Sequence, residues 1–528
     1  MLKNKSYYPF YFVLIFLLGI LLGQSMMKKN NSSFADGDNK INNIIHYIES
    51  DYVDSVNIQK IEETSIRAML DNLDPHSIYI SEEEFNAAND PLLGKFDGIG
   101  VQFRMVHDTV VIILPLENGP SKKAGIRAGD RIIIANKDTL AGKNYNSLDI
   151  QKILKGERGS LVNLWIKRKG EKNLIPFSLE RAAIPTYSID AKFMLNKEVG
   201  YIKLSRFSAS TIDEFDEAMK ILNDSGMSKL ILDLRGNGGG YLGAAIYIAD
   251  QFLEKDRLIV YTEGRNRKKQ IYRASDDTSF KNGDLIVLID GNSASASEIV
   301  AGAIQDNDRG IIVGRRSFGK GLVQEQTNYR DGSAVRLTVA HYFTPSGRSI
   351  QRPYKNGKAD YYNDYYHRII SESLLAPDSS LINDSLKFKT LKGKTVYGGG
   401  GIWPDHFIAA DTSINFSFYN QLLSQSIIYQ FAFDYVDKNR KELEHFKTVD
   451  EFMLGFNKDE ILLKQLIQLT DVQKLKPKTK DIKNSKPYIL TLLKAEISRN
   501  LFEDGFYPVF AKNDEFIKEA LILFKNNQ

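Results

Sequence analysis

From residue 200 onward, short runs of branched apolar residues alternate with amphipathic stretches, and this alternation narrows the fold more than any other feature of the chain. Residues 201–204, 230–234, 285–289 and 311–313 read as strands, and residues 210–222 and 242–252 as helices. A further helix opens near Ser295. Strand and helix in alternation favour an α/β layered domain, because each element has one apolar face to bury against the next.

The rest of the chain has a different texture. Residues 28–40 are polar and read as a linker, and residues 40–90 carry apolar positions at helical spacing. Between residues 94 and 183 short β runs (110–114, 131–135, 161–166) alternate with glycine turns, with a short helix over 147–154. Residues 355–395 form a polar stretch rich in tyrosine and lysine, and beyond residue 405 the pattern is mostly helical without recognisable chemistry. At 528 residues the chain is long enough for two or three folded units.

Composition removes several classes of function. With 70 basic and 66 acidic side chains the net charge is only +4, which argues against a nucleic-acid protein. The absence of cysteine excludes disulfides, thiolate metal sites and a cysteine nucleophile. The seven histidines show no HExxH-like spacing, so a zinc hydrolase is not expected, and no metal or organic cofactor is called for. Residues 6–27 are uncharged, with Lys3 and Lys5 before them and Lys28 and Lys29 after. Such a stretch can cross a bilayer core of about 30 Å as a helix. No Ala-x-Ala-like cleavage site follows it, so an uncleaved signal anchor is expected, with a cleaved signal peptide as the rival.

Two motifs can carry chemistry. In Ser293-Ala294-Ser295-Ala296-Ser297-Glu298, the middle serine falls where a buried strand turns into a helix, beside amides that stabilise negative charge. The bland reading is a helix cap, with Glu298 completing a capping box. Lys320 follows 25 residues after Ser295, within Phe318-Gly319-Lys320-Gly321-Leu322-Val323. A serine hydroxyl needs an adjacent base, and a lysine serves only when burial lowers its pKa from about 10.4. The bland reading there is a surface lysine in a hairpin loop. A third stretch, Leu232-Asp233-Leu234-Arg235-Gly236-Asn237-Gly238-Gly239-Gly240, follows a buried strand, and its amides could line an oxyanion hole.

Together these three motifs resemble the C-terminal processing peptidases, or tail-specific proteases, over roughly residues 40–410. Further marks are Leu73-Asp74-Pro75-His76-Ser77, Thr344-Pro345-Ser346-Gly347-Arg348 and Gly399-Gly400-Gly401-Ile402-Trp403-Pro404-Asp405. The resemblance implies Ser295 as nucleophile, Lys320 as general base and Gln324 as the residue orienting it. It assigns the oxyanion hole to Ala296 and one amide of the glycine loop, Gly238 or Gly239. Residues 94–183 resemble the family's PDZ domain, whose Gly98-Ile99-Gly100-Val101 loop would capture the carboxylate of a peptide added as an extra strand. Many relatives have arginine before the glycine matched by Gly156, where this chain has Lys155.

The fold expected is thus an α/β (α+β) peptidase core with an inserted β-rich PDZ domain, an N-terminal transmembrane helix and a helical C-terminal extension. Its boundaries fall at 1–30 for the stub and anchor, 31–92 for the helical segment and 93–184 for the PDZ domain. The core takes 185–410, with an insertion at 355–395, and the C-terminal region takes 411–528. The expected activity is a membrane-anchored serine endopeptidase facing the periplasm from the inner membrane. Its partners are protein substrates with free apolar C-termini, without nucleic acid, and a homodimer is a candidate assembly. Two rivals are a catalytically silent PDZ scaffold, which binds peptides without cutting them, and an apolar-ligand carrier, whose uptake survives loss of Lys320. His76 and His341 read as structural, Arg265 to Lys269 as a solvated hairpin tip, and Tyr361, Tyr362, Tyr365 and Tyr366 as packing within the insertion.

Overall fold

The computed structural model describes residues 10–20, 39–106, 108–116, 118–370, 384–409, 417–472, 475 and 478–526. It divides into two units, Met1–Leu73 and Asp74–Gln528. In the first unit the helices Lys40–Asp51 and Ile58–Asp71 begin at Asn39 and Asn57, whose side chains accept the amides of Asn42 and Lys60. Residues 10–20 are helical and their apolar side chains are exposed. Among the described residues no helix is long and apolar enough to cross a membrane. The expected transmembrane helix falls on residues 6–27, of which 6–9 and 21–27 lie outside the described residues.

In the second unit the alternating runs form a six-stranded sheet. Its order is Ile189–Met194, Val199–Leu204, Lys229–Asp233, Asp284–Ile289, Ile311–Gly314 and His406–Phe407. Only the first pairing is antiparallel; the rest are parallel. Leu230, Ile231 and Leu232 are all fully buried because the sheet is covered on both faces, as parallel sheets are. Leu230, Leu232, Val287 and Ile289 pack with the helices Thr211–Asp224, Leu242–Asp250 and Ala296–Asp306. Ile231, Ile286 and Leu288 pack instead with Ile517, Ala520 and Phe524 of the C-terminal helix Glu515–Asn526. The end of the chain thus closes the second face of the sheet.

A second, antiparallel sheet joins Ile78–Ile80, Ala334–Phe343, Leu258–Glu263 and Gln270–Arg273, with Leu322–Asn328 also paired to Ala334–Phe343. This sheet carries the chain out of the lysine loop. The β-rich unit is an antiparallel sheet of Val101–Val106, Thr109–Pro115, Arg131–Ala135, Leu161–Lys167 and Ile175–Glu180, with Asp138–Thr139 paired to Arg131–Ala135. The strands Lys95–Gly98 and Ala182–Pro185 pair antiparallel where the chain enters and leaves it, as an inserted unit requires. The C-terminal helices have a core of their own, including Phe431, Val436, Phe452, Leu466, Ile489 and Leu493.

The polar insertion supplies the helix Lys358–Ile370. Its tyrosines do more than pack the insertion. Tyr361 is buried against Phe318 of the lysine loop, with ring centroids 6.1 Å apart, and Tyr365 lies 5.0 Å from the same ring. Arg265 to Lys269 are exposed at a hairpin turn, though Arg267 pairs with Glu325.

Candidate active site

The three serines of the run are sorted by what their hydroxyls touch. Ser293 is buried and donates to the carbonyl of Leu234 at 2.8 Å, and Ser297 is buried and donates to that of Asn237 at 2.8 Å. Both clamp the glycine loop to the start of the helix. Ser295 alone lines the neighbouring cavity of about 640 Å³. It forms a capping box with Glu298, which accepts the Ser295 amide at 2.8 Å. Ser295 nevertheless lacks the extended backbone of an ordinary N-cap, with φ +56° and ψ −111°. A non-glycine residue held in that region stores strain of order 1–3 kcal/mol and tends to mark a functional turn. Capping and nucleophile are thus compatible readings of one residue.

Lys320 lines the same cavity. Its Nζ donates to Gln324 Oε1 at 2.8 Å, while Gln324 Nε2 donates to the carbonyl of His76. That second bond fixes which end of the amide faces the lysine. Burial, reinforced by the Arg336 charge, lowers the Lys320 pKa to about 8. No hydrogen bond joins Lys320 to Ser295 among the described residues.

Backbone anchors hold the two loops together. Glu298, fully buried, accepts the amides of Gly319 at 2.7 Å and Lys320 at 2.9 Å and the Ser317 hydroxyl at 2.5 Å, besides the Ser295 amide. Burial raises its pKa, and those donors oppose the rise. The hydroxyl of buried Tyr342 donates to the Lys320 carbonyl at 2.7 Å and lies 3.1 Å from that of Ser295. Sequence reading missed Tyr342, and it gave Glu298 only a capping role. Their partners lie on different elements, and nothing local to either residue signals the contact.

The glycine loop needs one correction. The Gly239 amide donates to Asn237 Oδ1 at 2.8 Å, so it is committed within the loop. Gly239 is required for clearance instead: at φ +98° an added Cβ would meet Ala294 O at 2.8 Å and Ala296 N at 3.0 Å. Gly238 and Ala296 line the cavity beside Ser295, and Ala296 opens the helix, where first-turn amides lack intrahelical acceptors.

His76 has a role beyond packing. Besides its carbonyl contact to Gln324, its ring lies 3.0 Å from the Tyr361 hydroxyl through Nε2, and burial, with the Lys320 charge, lowers its pKa to about 3. The ring is therefore neutral near pH 7 and a weak base. His341 is exposed on its strand. The loop residues Gly98, Ile99, Gly100 and Val101 line a separate cavity of about 760 Å³ in the β-rich unit. Among the described residues no group of three or more His, Asp or Glu side chains could hold a metal ion.

Comparison with known proteins agrees with this layout. Peptidase family S41 matches residues 198–357, a PDZ domain matches 98–179, and a family of unknown function matches 418–504. Carboxy-terminal processing protease CtpB of Bacillus subtilis is 36% identical over 316 residues, 59% of this chain and 65% of that protein. CtpA of the same organism is 32% identical over 63% of this chain and 70% of its own length. The carboxy-terminal-processing protease of Bartonella bacilliformis is 34% identical over 64% of this chain and 80% of its own. The match therefore spans just under two thirds of CtpB and more of the other two. The chain belongs to the carboxy-terminal processing proteases of peptidase family S41 and carries a PDZ domain within it.

Proposed function

We propose that the protein cleaves protein substrates with a Ser295–Lys320 dyad assisted by Gln324, after its PDZ domain has captured their C-termini. The observation that carries this reading is Lys320, a half-buried side chain whose partial burial holds its pKa at about 8 in the cavity that Ser295 lines. Neutral Lys320 takes the hydroxyl proton as Ser295 attacks the peptide carbonyl. The amides of Ala296 and Gly238 receive the tetrahedral oxyanion, the helix N-terminus adding a favourable field. Lysine then protonates the leaving amine, and water enters as a second nucleophile on the acyl-enzyme.

The tail would add as a strand to Val101–Val106, which lies at the edge of its sheet, with its carboxylate at the Gly98–Val101 amides. Residues 6–27 would anchor the protein in the inner membrane with the peptidase on the periplasmic side; their lack of charge supports this.

The test uses the full-length protein in detergent with an unfolded substrate ending in an apolar tripeptide. Parent protein should cut it, while Ser295→Ala and Lys320→Ala, matched by circular dichroism, should not. Equal cutting by all three would overturn the dyad. Binding of the tail without cutting by the parent would favour the scaffold reading.

A further inference from the structure

The cavity along the Val101–Val106 edge is walled by the Gly98–Val101 loop, by Leu148, Gln151 and Leu154 of the helix Ser147–Leu154, and by the helix Glu82–Leu93. Its far wall is Arg499, the last residue of the helix Thr479–Arg499 in the C-terminal region. That region thus contributes a side chain to the peptide groove.

The charges in the groove are one-sided. Arg104, Lys155, Arg206 and Arg499 line it against a single carboxylate, Asp90, which Lys155 already pairs at 2.8 Å. Arg104 is stacked 3.7 Å over the Tyr429 ring, and Arg499 4.1 Å over that of Phe506, so both guanidinium groups are held in place. Glu496, buried beside them and 3.5 Å from Arg499, sets one carboxylate against two cations. The buried Nε of Arg206 has no hydrogen-bond partner among the described residues. A buried donor without a partner is costly unless a ligand satisfies it.

Spacing says which part of a ligand would meet these cations. A strand rises about 3.3 Å per residue, so Arg104 lies roughly 10 Å along the edge from Val101. An antiparallel tail with its carboxylate at the loop brings the side chain about three residues before its terminus to that point. An apolar tail alone would leave a desolvated cationic wall unanswered there.

Taking this groove, as above, to be the site for a substrate's C-terminus, we propose that the C-terminal helical region completes it. Arg104 and Arg499 then select tails with an acidic side chain about three residues before an apolar terminus.

The test measures fluorescence anisotropy of two labelled peptides on the full-length protein carrying Ser295→Ala, which prevents cleavage. The peptides share an apolar terminus and differ only in Glu or Gln three residues before it. The acidic peptide should bind roughly tenfold tighter, as a charge-assisted hydrogen bond is worth, and added salt should shrink the difference. Arg104→Gln and Arg499→Gln should each bring the two peptides to within about twofold to threefold by weakening only the acidic one, while Arg499→Lys keeps much of the preference. Because the neutral peptide is read in every variant, a misfolded variant is recognised by losing both. Equal binding of the two peptides to the unmutated groove would overturn this inference and leave the groove reading standing. Binding of neither would overturn both.

Discussion

At the scale of single residues the site depends on clearances and on one proton. Gly239 leaves no room for a methyl group beside Ser295, whose Cβ an added carbon would approach to 2.9 Å. Gly239→Ala should lower kcat by about a hundredfold or more while KM changes little, since it shifts Ser295 and the Ala296 amide rather than the groove. Gln324 accepts from the charged form of Lys320, so it favours that form. Gln324→Leu should therefore lower the plateau of kcat/KM and also move its acid-side midpoint to lower pH. An unchanged midpoint would mean that Gln324 only packs. That Ser295 and Lys320 belong together was suggested by their motifs, and both line one cavity. The Gln324 link to the His76 carbonyl was not, because 248 residues separate its partners.

Elements explain why the glycine loop stays where it is. Arg235, at the end of the strand Lys229–Asp233, pairs with Asp233 at 2.6 Å and with Asp514 at 2.8 Å, just ahead of the last helix. Burial alone would lower the Arg235 pKa, and the two carboxylates hold it well above its usual value instead. Asp514→Ala should cost about 1–3 kcal/mol in chemical denaturation, because Arg235 keeps one of its two anions. It should also reduce kcat more than KM, through the loop that carries Gly238. Arg348 and Asp306 form a fully buried pair at 2.7 Å, so Arg348→Ala leaves a buried unpaired carboxylate and should cost about 3–5 kcal/mol. The four central strands of the sheet were readable because unbroken apolar runs have one simple explanation, whereas Ile189–Met194 and the two-residue His406–Phe407 were not. The helix Glu515–Asn526 was readable as a helix but not as the sheet's second layer, since its partners Ile231 and Ile286 lie more than two hundred positions away. The lysine loop's sheet was also missed: Leu322–Asn328 includes polar residues on both sides of its alternation, and only pairing with Ala334–Phe343 makes it a strand.

Across the whole molecule, three stretches of sequence converge on one cleft. The strand-to-helix turn brings Ser295, the glycine loop brings Gly238, and the antiparallel sheet brings Lys320 and Gln324. Glu298 and Tyr342 bind the serine and lysine loops to each other, so the spacing of Ser295 and Lys320 is set by buried hydrogen bonds rather than by chain proximity. Whether Lys320 governs the reactivity of Ser295 decides the mechanism. The most direct measurement is the rate at which a fluorophosphonate labels the protein as a function of pH, with the modified peptide identified by mass spectrometry. Only the neutral amine can act as base, so below the midpoint the rate should climb about tenfold per pH unit, levelling above about 8. The label should map to Ser295, and Lys320→Met should abolish that reaction. A label on another residue, a pH-independent rate, or undiminished labelling of Lys320→Met would contradict the dyad.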